Sequence, residues 1–213
     1  MKQIDSPSCE AHRKELLRFL LIKTAAVRRR IKPAELLRVN SCYRLADPSN
    51  RETICLYQCE ILRELQLSFK ILRTDAEQAM VLFYDSDLLR QTLQDKALRL
   101  YLNRKHGYPA TADLAEHLHC LQQRFAGDEF PHEVGIFIGY PLKDVAGFIH
   151  RTTKQPVHRN GWQVFGSPEK SLRLMKQYRF VEFLAGKILE KYQDLEKCLE
   201  KITNLNLNSM PGI

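Results

Sequence analysis

"LQLSFKILRTDAEQAMVLFYD", residues 65–85, is the stretch whose reading decides the fold class. Leu67, Phe69 and Ile71 alternate with polar neighbours, which is the period of a half-buried strand. Ala79 to Tyr84 is a compact apolar run of strand length, and the polar residues between the two runs suit a short loop. Together they predict an antiparallel β-hairpin over residues 67–73 and 79–84. "GWQVFG", Gly161–Gly166, predicts a third short strand between two glycines. The rest of the chain carries helical spacing. The expected fold is therefore α+β: a mostly helical single domain with a small three-stranded antiparallel sheet.

Upstream of the hairpin, "CEAHRKELLRFLLIK" presents Leu16, Leu17, Leu20 and Leu21 as one apolar stripe. Pro33 is expected to open a short helix through Ala34, Glu35 and Leu37, and Ser49 or Asn50 to cap a helix from Arg51 to Leu65. Downstream, Ser86 or Asp87 caps a helix. A second is stopped by Gly107 and Pro109, and a third runs from a Thr111 cap to about Gly127. Pro141 sits in the first turn of "LKDVAGFI". The last long helical stretch starts with Ser167 as cap and Pro168 at the first position. Its seam is Val181, Leu184, Ile188, Leu195, Cys198 and Ile202, broken at Lys191. Residues 1–190 are read as the globular domain, and 191–213 as a C-terminal helix extension with a loose tail.

The chain has 213 residues, 44% of them hydrophobic, enough for one ordinary core. The net charge of +8 favours anionic partners: a small molecule, an acidic protein or nucleic acid. No apolar run approaches the roughly 18 residues a membrane span needs, and the first residues lack a signal peptide's apolar core. The expected location is cytoplasmic, without a membrane partner. Six cysteines form no CxxC pair, and Cys55 and Cys59 have no further ligands in view. His117 and His119, two apart, face different sides of a helix. No metal site is expected, and no cofactor is indicated.

The least ordinary stretch is "FPHEVGIFIGYPLKDVAGFI", Phe130–Ile149. Gly135 and Gly139 lie four apart in an apolar run, as in a short helix that lets another element come close. Tyr140, standing before Pro141, ends it. His132, Glu133 and Tyr140 are its candidate functional groups, and Glu133 also suits a helix start.

With this stretch the chain resembles an uncharacterised bacterial family, domain of unknown function 3793, whose mark is similar to "FPHEIGxFLGYPxEDVxGFI". "GWQVFG" resembles the family's "GYWKVYG", and "KPAELL", Lys32–Leu37, its "KPAxLF". The chain departs from "HCAPTLAGIKPA": it has "KTAAVRRRIKPA", with Thr24 in the cysteine position. A nucleophile or metal ligand there is not available to this protein. The resemblance implies no activity.

The expected function is binding of an anionic small molecule in a pocket between the basic Arg28, Arg29, Arg30 and Lys32 segment and His132, Glu133 and Tyr140. Arginine recognises carboxylate and phosphate bidentately. Two alternatives stand beside it. One is a protein-interaction adaptor using the C-terminal helix. The other is a helix-turn-helix-like nucleic-acid module over residues 131–154, offering Lys143, His150, Arg151 and Lys154. Whether the protein is an enzyme is left open.

Overall fold

A computed structural model describes residues 7–40, 65, 67–75, 78–150 and 155–206. The helix expected over residues 51–65 (except Leu65), its cap, Cys42, Cys55, Cys59, Arg151, Lys154 and the tail from residue 207 lie outside these.

The elements follow in the order α1 (Pro7–Lys23), α2 (Ala25–Arg28), β1 (Ala34–Asn40), β2 (Ser68–Thr74), β3 (Gln78–Tyr84), α3 (Ser86–Leu93), α4 (Lys96–His106), α5 (Leu114–Phe125), α6 (Val134–Phe137), α7 (Leu142–Ile149), α8 (Glu169–Lys191) and α9 (Leu195–Thr203). The sheet order is β1-β3-β2, with both pairings antiparallel. The predicted hairpin is β2–β3. Its register slips between Ile71 and Arg73, and by the ordinary alternation of a strand Leu72 lies on the face opposite Phe69 and Ile71.

The third strand is not residues 162–165. That place is taken by Ala34–Asn40, which the sequence reading made helical. Seven residues are too few for periodicity to separate the two, and β3 supplies the deciding partner, from Ala34 opposite Tyr84 to Asn40 opposite Gln78. Pro33 costs nothing at that strand's entrance, because it precedes the ladder. Residues 157–164 form only a small hairpin around one bridge, His158 to Val164.

Both faces of the sheet are covered. Leu37, Val39, Ala79, Val81 and Phe83 share a core with Leu16, Leu17, Leu20 and Leu21 of α1, Val27 of α2 and Val181, Ala185 and Leu189 of α8. Ala34, Leu72 and Leu82 join Leu89 and Leu93 of α3, Leu102 of α4, Leu121 and Phe125 of α5, Ile136 and Phe137 of α6 and Val145 of α7. This burial of both faces is why β3 is continuously apolar instead of alternating. The expected C-terminal seam faces inward. Val181, Cys198 and Ile202 are fully buried in the first core, and α8 stops at Lys191 before α9 restarts under the Asp194 cap.

Aspartates start four of the described helices, Asp194 of α9 being one of them. Asp85 accepts from Leu88 N, Asp95 from Ala97 N and Leu98 N, and Asp113 forms a reciprocal capping box with Glu116. They displace the expected Ser86, Asp87 and Thr111 caps, since a carboxylate one residue outside the first turn reaches its free N–H groups. Pro168, not Ser167, occupies the cap position of α8, with no side-chain cap bond.

Candidate functional site

Three stretches far apart in sequence meet at one place: Lys32-Pro33 ahead of β1, Gly139-Tyr140 between α6 and α7, and Gly161-Trp162 in the small hairpin. Gly139 makes the meeting possible. α6 ends in a left-handed turn, with Gly139 at φ 83°, Tyr140 N donating to Gly135 O at 2.8 Å and Gly139 N to Ile136 O at 3.1 Å. That turn brings the Gly139 backbone against the Pro33 ring and aims Tyr140 at Trp162. The two rings stack at 4.2 Å with 22° between their planes. Tyr178 of α8 lies beyond, 6.2 Å from Trp162.

Lys32, only 5% exposed, has its ammonium 5.9 Å from the Tyr140 ring and 5.2 Å from the Tyr178 ring. It donates to Glu35 Oε2 at 2.6 Å. Burial pushes the Glu35 carboxyl above its ordinary range, Glu182 adds to this, and Lys32 and Lys23 oppose it. Burial, with the charge of Glu35, pushes the Tyr140 hydroxyl up to about 12, and burial raises Tyr178 as well. At neutral pH both tyrosines are therefore hydrogen-bond donors and not bases.

Two cavities open on either side of the Tyr140–Trp162 pair. The larger, about 380 Å³, is mainly apolar and is lined by Leu36, Phe130, His132, Ile138, Val145 and Phe148. The smaller, about 170 Å³, holds the charges: Lys23, Lys32 and Arg179 against Glu35 and Glu182. Tyr140, Gly161 and Trp162 line both.

Of the residues expected at the site, Lys32, His132 and Tyr140 line these cavities. Arg28 and Arg29 turn instead to the C-terminal end of α9, bonding Thr203 Oγ1 at 3.3 Å and the Thr203 carbonyl respectively. There they face the negative end of a helix dipole, and burial pulls Arg28 down to about 10. Arg30 is exposed and sits 3.5 Å from Asp85.

Glu133 lines neither cavity. At 1% exposure it is paired with Arg124 Nε, accepts from Tyr108 OH at 3.4 Å and lies 3.7 Å from His106 Nδ1. This cluster ties the end of α4 and the end of α5 to the start of α6. Burial lowers the His106 pKa, with Glu133 acting against it. His132, its neighbour in sequence, is exposed and lies against two rings, Phe130 at 5.2 Å and Phe148 at 4.8 Å. His132→Ala is accordingly expected to change stability by less than about 1 kcal/mol. A thermal melt several degrees below wild type would show that the imidazole holds the fold.

Sequence reasoning missed Glu35, Tyr178 and Arg179, and it gave Trp162 no part in the site. It also passed over Asp144, which is 2% exposed and accepts from Lys143 Nζ (2.7 Å), Ser171 Oγ (2.6 Å), Trp162 Nε1 (2.9 Å) and Phe165 N (2.9 Å). This one carboxylate fixes the indole that forms the cavity wall. The signal was available in "LKDVAGFI", where Asp144 stands on an otherwise apolar face. Lys143, held by Asp144, the Phe165 carbonyl and Ser171, is not presented to a phosphate backbone. α6, the first helix of the expected helix-turn-helix, is four buried residues.

The model of a family described as protein of unknown function (DUF3793) matches residues 20–199. The chain belongs to that family. No curated protein and no solved structure matches it. The matched span of this DUF3793 protein takes in Lys32, Glu35, Tyr140, Asp144, Trp162 and Tyr178, so the whole cleft lies within the family domain. Among the described residues no group of three or more His, Cys, Asp or Glu side chains is placed to hold a metal ion, and no helix is long and apolar enough to cross a membrane.

Proposed function

We propose that the cleft binds a small anionic molecule with a flat apolar body. The observation that carries the reading is the convergence of the buried Lys32 ammonium with the stacked Tyr140–Trp162 pair, between an apolar and a charged cavity. The larger cavity is of the size that takes a small ligand. Its acidic wall residue, Asp144, is already fully bonded, so an apolar group suits that side. In the smaller cavity the cations outnumber the carboxylates, and the Tyr140 hydroxyl is a donor, which suits an anionic head group. The setting we infer is the cytoplasm of a bacterium. The free thiols of Cys120 and Cys198 suit a reducing compartment, and the resemblance to a bacterial family supports the source.

Trp162 is the sole tryptophan of the chain, so its emission reports on this cleft alone. Titration with aromatic carboxylates, sulfonates and phosphate esters is expected to quench or shift it in a saturable way, whereas uncharged analogues bind at least tenfold more weakly, on the order of 1.4 kcal/mol. Lys32→Gln is expected to remove that preference for anions. Equal binding of charged and uncharged analogues by the wild-type protein would defeat the reading.

A further inference from the structure

Lys32 does not wait for an anion with its charge free. It donates to Glu35 at 2.6 Å, and its other close neighbours are the faces of Tyr140 and Tyr178. The charged and titratable groups facing Glu35 are Lys32 beside it, Lys23 from α1, Glu182 from α8, and the two tyrosines. Lys23 is itself paired with Glu182. An anion that reaches Lys32 must displace the Glu35 carboxylate or settle beside it, with Glu182 on the same cavity wall. Two like charges held that close in a partly buried site oppose each other's ionisation.

A proton resolves the conflict. Protonated Glu35 no longer competes for the Lys32 ammonium, and its O–H becomes a donor to the incoming anion. We infer that the cleft takes up its anion together with one proton, which resides on Glu35. The inference rests on the proposed anion-binding function and adds its regulation: acid conditions load the site and alkaline conditions empty it. Burial already favours the protonated carboxyl before any ligand arrives. The anion then raises it further, so between the free and bound pKa values affinity falls with rising pH, by up to about tenfold per pH unit.

The test uses benzenesulfonate, which stays ionised throughout, on the full chain between about pH 5 and pH 8. Binding is followed by Trp162 emission. Calorimetry in two buffers of different ionisation heat counts the protons taken up by the wild-type protein, which needs no variant to fold. The expected result is affinity that weakens as pH rises, proton uptake approaching one, and a Glu35→Gln protein whose affinity is independent of pH and matches wild type at the acid end. Lys32-dependent binding with flat pH dependence and no proton uptake overturns the inference and leaves the binding function standing. A pH dependence that persists in Glu35→Gln places the proton on another group and also overturns it. Absence of binding in both proteins at the acid end overturns the inference and the binding function together.

Discussion

Asp144→Ala is expected to lower stability by about 3–5 kcal/mol, the range for breaking a buried ion pair by removing one partner. For a chain of this size that is a fall in melting temperature of roughly 10 °C. The carboxylate is 2% exposed and accepts four hydrogen bonds, from Lys143, Ser171, the Trp162 indole and the Phe165 backbone N–H. Alanine leaves those donors facing a hole, and the Ser171 hydroxyl, itself fully buried, cannot turn to water. Because Trp162 Nε1 loses its acceptor, the tryptophan emission should shift in the folded variant too. The same carboxylate should give the protein an acid limit. Burial opposes its ionisation, but the Lys143, Ser171, Phe165 and Trp162 bonds together hold its pKa below the ordinary value. That contribution is complete above the unfolded-state value, about 3.9, and is lost as pH falls through the lower folded-state value. Asp144→Ala should therefore flatten the acid limb of the stability curve. A variant that melts within about 2 °C of wild type, with unchanged emission, would mean that the four bonds are worth no more than those the groups make with water.

Gly139→Val should cost about 3 kcal/mol, from two causes that point the same way. The residue sits at φ 83°, where a β-branched side chain is strained by about 1–3 kcal/mol. A Cβ built there stands 2.7 Å from Pro33 Cδ and 3.0 Å from the Tyr178 hydroxyl, so Pro33 or the turn must move, and such overpacking costs about 1–3 kcal/mol. The displaced groups are cleft groups: Pro33 follows Lys32, and Tyr178 flanks it. The variant should therefore lose ligand affinity by more than its stability alone explains. Gly135→Ala offers a contrast. It meets a Val145 methyl at 2.9 Å but is not at positive φ, so only the contact term applies. Chemical denaturation of the two variants measures the difference. If Gly139→Val denatures with wild type, the backbone strain and the close contact with Pro33 are both absent in solution.

The hairpin, the run of helices (though not their cap residues), the break between α6 and α7 and the close packing at Gly135 and Gly139 were legible in the chain. Each depends on interactions within a few residues or on a periodicity repeated several times. The third strand was not legible. "AELLRVN" serves equally as a turn or two of helix, and only β3, some forty residues further on, makes it a strand. The candidate site divides in the same way. His132, Glu133 and Tyr140 are consecutive features of one motif, yet they part in space. Glu133 goes into an ion cluster with Arg124, His106 into the same cluster, His132 to the surface and Tyr140 to the cleft. The basic run parts likewise as the chain leaves α2: Arg28 and Arg29 go to Thr203, Arg30 to Asp85, and Lys32 to the tyrosines.

By itself, then, the sequence determined the class of fold, the positions of most helices and the motif around which the cleft is built, because propensity, capping and hydrophobic period are properties of neighbours along the chain. Tertiary structure alone decided which strand completes the sheet, that Asp144 holds Trp162, and that Lys32 faces Glu35 between two tyrosines. Apart from the Lys32–Glu35 pair, three residues apart, those contacts join residues from 18 to 146 positions apart, and a chain's local pattern carries no information about which distant group will fill the space opposite it.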